Sequence, residues 1–77
     1  MIEYAVVIER SPNNYGAWVP VLDGCVSTGK TIEEVKANIA DAIEMHIEVM
    51  RQHGEAVPPP TVQVAVVQGR VIATAPR

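Results

Sequence analysis

From Thr31 to Gly54 the chain has room for only one regular element, a long amphipathic helix. Thr31-Ile32-Glu33-Glu34 has the Thr-x-x-Glu form of a capping box. In that arrangement the Thr31 hydroxyl accepts from the Glu34 N–H, and the Glu34 carboxylate reaches back to the N–H of Thr31. Apolar residues then recur at Ile32, Val35, Ile39, Ala42, Ile43, Met45, Ile47 and Met50, the spacing that builds one stripe on a helix. Glu33, Lys36, Asn38, Asp41, Glu44, Glu48 and Arg51 fall mostly on the opposite face. Acids occupy the N-terminal half while Arg51 and His53 close the last turn, as the helix dipole prefers. Gly54 can adopt the left-handed C-cap conformation, and Pro58-Pro59-Pro60 prevents the helix from resuming.

The flanking segments alternate with the period of strands. In the first, residues 2–9, Ile2, Tyr4, Val6 and Ile8 share one face and Glu3, Ala5, Val7 and Glu9 the other. Both faces are at least half apolar, which predicts a central strand. Ser11-Pro12-Asn13-Asn14-Tyr15-Gly16 is a dense turn signal. A second strand, 15–21, runs antiparallel to the first, carries Trp18 and bends or ends at Pro20, which has no N–H to give a ladder. Asp23-Gly24 turns the chain into a short third strand, 25–28. After the helix, residues 61–67 read as a valine-rich fourth strand; Gln68-Gly69 could then turn into a fifth over 70–75.

The order is β-β-β-α-β, an α+β fold with one helix packed on a mixed sheet and a possible extra C-terminal strand. Right-handed crossover places the fourth strand parallel to the first, with the helix on one face of the sheet. A single helix covers a single face. Ala5, Val7 and half of the fourth strand offer apolar groups to the other. The expectation is a homodimer or higher homo-oligomer, in which a second subunit covers that face or the final strand pairs across a dimer.

At 77 residues the chain reads as one domain, 1–77. A domain of that size buries only about 60% of its unfolded surface. One cysteine, Cys25, excludes an internal disulfide framework and suits a cytoplasmic location. No signal-peptide pattern and no membrane-length apolar run occurs. The net charge of −3 and the scattered basic residues argue against direct nucleic-acid binding.

Several motifs invite a sharper chemistry. Gly24-Cys25-Val26-Ser27-Thr28-Gly29-Lys30-Thr31 matches the phosphate-loop pattern G-x-x-x-x-G-K-T. However, Cys25 to Thr28 reads as a strand rather than a glycine-lined cradle, and no apolar strand ends in the Asp that would hold magnesium. Gly29 then becomes a turn residue, Lys30 a solvated side chain and Thr31 a helix cap. No cofactor is expected. Nuclease chemistry with two metal ions needs carboxylates converging from neighbouring strands, and residues 61–67 hold none. His46 and His53, seven apart on the helix, are too distant to share an ion, so no metal site is expected. Cys25 has no base nearby in sequence and reads as a small buried hydrophobe. The chain is expected not to be an enzyme.

The run Tyr15-Gly16-Ala17-Trp18-Val19-Pro20, then Leu22 to Gly29, then Thr31-Ile32-Glu33-Glu34-Val35, resembles the HicB-like antitoxin family. The likeness begins at Tyr4-Ala5-Val6-Val7-Ile8-Glu9, continues along the helix to Pro60, and covers residues 2–67. Its most specific part is the Gly-Cys…Thr-Gly-x-Thr-x-Glu-Glu string that enters the helix. The resemblance implies a partial ribonuclease-H-like fold. It also implies a HicA-like partner, a small mRNA-cleaving toxin with a catalytic histidine, which family members bind and cover. Two departures stand out. Pro20-Val21-Leu22-Asp23-Gly24-Cys25 replaces the family's usual Pro-Asp-Leu-Pro-Gly-Cys, so the acidic residue has moved. The C-terminal DNA-binding domain of many members is also expected to be missing. Tyr15, Trp18, Asp23 and Cys25 are the candidate partner-binding residues. The alternative is an orphan oligomeric scaffold module with no toxin.

Overall fold

Short alternating segments and one capped helix become four elements in the computed structural model, which describes residues 3–69: β1 (Val7–Arg10), β2 (Tyr15–Trp18), β3 (Val26–Gly29) and α1 (Ile32–Gln52). The strands form one antiparallel sheet in the order β1-β2-β3. The architecture is α+β with β-β-β-α order, as the periodicity predicts. The strands are shorter than their apolar patterns suggest, because the ladder ends before Pro20 and begins only at Val7.

The register sorts the side chains. Ile8, Ala17 and Ser27 lie in one cross-strand row, as do Arg10, Tyr15 and Gly29. These rows face the helix, as the buried Ala17 and Gly29 show. Val7, Trp18 and Val26 form the row beyond Ile8 and, with the intervening row Glu9, Gly16 and Thr28, point the other way. The core lies between sheet and helix: Ala17, Val19, Leu22, Cys25, Val35 and Ile39, with Tyr4, Val6, Ala42, Ile43 and Met50 packed around them. Val35 and Ile39 are the helix's two buried residues, each worth roughly 1.5–3 kcal/mol of transfer free energy.

Both helix ends are closed by their own sequence. The Glu34 N–H donates to Thr31 Oγ1 at 3.0 Å, as the capping box requires. The return bond differs from expectation: Glu34 Oε1 accepts from the N–H of Lys30 at 3.1 Å, not from Thr31. With Thr31 extended (φ −129°, ψ 166°), the Lys30 amide is the one that meets the carboxylate. At the other end Gly54 adopts φ 70°. The Gly54 N–H donates to the Arg51 carbonyl at 3.1 Å and the Glu55 N–H to the Met50 carbonyl at 2.9 Å, the paired bonds of a Schellman cap.

Two expectations are corrected. Residues 61–67 carry no strand, and β1 is therefore an edge strand rather than a central one. Among the described residues after Pro58, none has a backbone bond to β1 with which to start a parallel ladder. Pro59 and Pro60 supply no N–H, and the valines beyond them stand in solvent. The possible fifth strand, 70–75, and the first residue of the predicted first strand lie outside the described residues.

Candidate functional site

The helix leaves one face of the sheet uncovered, and that face has an apolar centre. Val7, Trp18 and Val26 are cross-strand neighbours on it, with Trp18 37% and Val26 64% exposed. Gly16, two residues along β2 on the same face, lacks a side chain; an added Cβ there would meet nothing within 4 Å. The result is a shallow trough of about 570 Å³ walled by Trp18, Val26 and Thr28 and bordered by Glu9. Beyond Trp18 the surface dips again beside the β2–β3 connection, into a hollow of about 530 Å³ lined by Trp18, Pro20, Asp23 and Val26. An exposed aromatic flanked by a valine and two carboxylates is suited to contact with another protein, where an amphipathic ring anchors and charges at the rim select.

The β2–β3 connection is held by its own bonds. The Leu22 N–H donates to Val19 O, the Cys25 N–H to Leu22 O and the Val19 N–H to Cys25 O, each at 3.1 Å. Gly24 sits at φ 79°, a left-handed conformation that glycine adopts without steric cost. This clasp holds Leu22 and Cys25 in the core and presents Asp23 to solvent.

Of the four residues singled out from sequence, Trp18, Asp23 and Cys25 line the same hollow and Tyr15 does not. Tyr15 is half-buried on the helix side of the sheet. Cys25 is only 3% exposed, and burial pushes its thiol pKa up, which favours the neutral thiol over the nucleophilic thiolate. Val7, Gly16 and Val26 escaped the sequence reading as site residues. The signal that could have found them is parity: each falls opposite or beside Trp18 once the two turns fix the register.

The phosphate-loop pattern is spread over the Gly24 turn, the strand β3 and the Thr31 cap. Gly29 is the last residue of β3, and an added Cβ would lie 2.5 Å from the Val35 nitrogen. Its role is to let the first turn of α1 settle on the sheet. His46 is half-buried and His53 is the helix C-cap residue, its N–H donating to the Val49 carbonyl at 3.1 Å. Among the described residues, no three His, Cys, Asp or Glu side chains gather into a group able to hold a metal ion. Among the same residues no helix is long and apolar enough to cross a membrane.

Comparison with known proteins gives this arrangement a family. A UPF0150 protein of Helicobacter pylori is 54% identical over 41 residues, covering 53% of this chain and 57% of that relative, so the chain spans little more than half of it. A UPF0150 protein of Thermoplasma acidophilum is 38% identical over 58 residues, covering 74% of this chain and 84% of that one. One from Synechocystis is 41% identical over 56 residues, covering 71% of each chain. No solved structure matches. The model of the HicB-like antitoxins of bacterial toxin–antitoxin systems matches residues 4–71, which include every element of the sheet and the helix. The chain belongs to the HicB-like antitoxin family.

Proposed function

We propose that this single-domain chain, 1–77, is a homo-oligomeric cytoplasmic antitoxin that neutralises a HicA-like, mRNA-cleaving toxin by direct contact, without catalysis of its own. The observation that carries the reading is the Val7–Trp18–Val26 row, uncovered and bordered by Glu9 and Asp23, in a chain of the HicB-like antitoxin family. A toxin that holds RNA must neutralise phosphates with Lys and Arg. An apolar patch with an acidic border complements such a surface: the carboxylates steer and select, and the ring supplies desolvated area. Trp18 is the anchor and Asp23 a border contact. Cys25 and Tyr15 support the site from beneath the sheet and its connection.

Co-expression with a HicA-type toxin tests this. The chain is expected to restore growth and to co-purify with the toxin. Trp18→Ala is expected to weaken the complex by roughly 30-fold or more, about 2 kcal/mol. Its stability should change by no more than about 1 kcal/mol, since the ring is not in the core. Full rescue and unchanged affinity in Trp18→Ala would contradict the assignment.

A further inference from the structure

The chain carries an unfilled groove and, a few residues further along, an unseated strand that matches it. The groove runs along the free edge of β1, between that strand's helix-facing side chains and α1. Tyr4, Val6 and Ile8 form one wall, Ile39 and Ile43 the other, and Lys36 stands at the rim of a space of about 350 Å³. It lies where a further strand beside β1 would place its helix-facing residues. The opposite edge of the sheet differs: there the Asn38 side-chain amide donates to the Thr28 carbonyl at 2.8 Å, occupying a group that another strand would need. The β1 edge is the open one.

The unseated strand is residues 61–67. Val62, Val64 and Val66 alternate at the period of a strand, and Val64 is 71% and Val66 100% exposed. The Tyr4 hydroxyl donates to the Pro58 carbonyl at 2.6 Å, which pins the start of the segment to the end of its own groove. From there Pro58-Pro59-Pro60 is a stiff spacer, about 9 Å long at the rise of a polyproline helix, and the valines beyond it stand exposed. In this structure the segment stays out of its own groove, with Val64 and Val66 exposed beyond the Pro58 contact, and proline fixes φ along the strut while the residues before proline are held extended. A second copy can accept it with the strut as it stands. A short stiff hinge joining a compact body to an unpaired element is the setting in which copies exchange that element.

We infer that two copies of this chain join by exchanging residues 61–67, each copy's valines filling the β1–α1 groove of the other. The exchange is reciprocal, so it closes as a twofold dimer, removes the β1 edge and buries Val62, Val64 and Val66 on both sides. It rests on the self-association part of the reading above, and it leaves the Trp18 face free for a partner.

Sedimentation of the full-length chain without toxin tests this. The wild type is expected at twice the chain mass, and two variants at the mass of one chain with unchanged helical content: Val64→Lys/Val66→Lys, which spoils the strand, and Ile8→Lys, which spoils the groove. Mixing the variants should restore a dimer weaker than the wild type's, held by the one intact pairing of the second variant's strand with the first variant's groove. A monomeric wild type overturns the inference, and amide protection over 61–67 in that monomer would place the segment in its own groove. A dimer that survives Val64→Lys/Val66→Lys overturns it in favour of contact through the open face. Variants that fail to complement overturn it in favour of segment-to-segment pairing. Growth rescue by the wild type separates the two readings: rescue by a monomeric wild type sinks only the exchange, and a dimeric wild type that fails to rescue sinks only the antitoxin assignment.

Discussion

Gly29 marks the closest approach between sheet and helix, and its missing side chain is what allows it. An added Cβ would lie 2.5 Å from the Val35 nitrogen and 2.8 Å from its Cα, both backbone atoms that cannot swing aside. Gly29→Ala is therefore expected to destabilise the fold by about 3 kcal/mol, at the top of the range for overpacking. Gly16→Ala, with nothing within 4 Å of the new methyl, should change stability by less than about 0.5 kcal/mol in urea unfolding. Equal effects of the two substitutions would contradict this placement of the helix. Cys25 gives a second test. Its pKa is raised in the fold by burial, so the folded protein holds the thiol proton at pH values where the unfolded chain releases it. The associated stability is complete below the ordinary thiol pKa of about 8.5 and is lost as pH rises above it. Relative to Cys25→Ala, the wild type should lose stability above that pH, and its thiol should react with iodoacetamide far more slowly folded than unfolded. Rapid alkylation of the native protein would place Cys25 at the surface instead.

Among the elements, α1 was the most legible in the sequence because its signals are local. The Thr31 cap, the Glu34 return, the Gly54 stop and the three-four stripe all lie within the helix or two residues beyond it. Thr31→Ala is expected to cost about 1 kcal/mol in thermal or urea unfolding, through the lost bond to the Glu34 N–H. Gly54→Ala should cost about 1–2 kcal/mol, because φ 70° is a left-handed conformation that a Cβ disfavours. No loss from either would contradict the caps. The strands were legible as elements but not in their neighbours. The two apolar faces of residues 2–9 suggested a central strand, yet alternation reports burial on two sides of a sheet and says nothing about its edges. The same limit applies to residues 61–67, whose valines encode a strand without encoding which chain supplies the ladder. Gly29 read as a turn residue because the need for a missing side chain arises only when Val35 approaches. At the site, Trp18 stood out by its type alone, whereas Val26 and Gly16 acquire meaning only from the register with β1 and β2.

As a whole molecule, the described residues form one helix, two sheet faces and too little core to cover both. The covered face supplies the stability. The open face carries Trp18, Val7 and Val26 with Glu9 and Asp23 at its borders, and it is the face the proposed antitoxin role rests on. Trp18 is the chain's single tryptophan, so one probe reports on the face directly. With fluorotryptophan incorporated into this chain alone, the fluorine spectrum should hold one resonance that shifts with solvent isotope, as an exposed ring does. On addition of a HicA-type toxin the account predicts that this resonance moves and loses its solvent isotope shift. A toxin that binds by sedimentation while the resonance stays unmoved and solvent-exposed would contradict it.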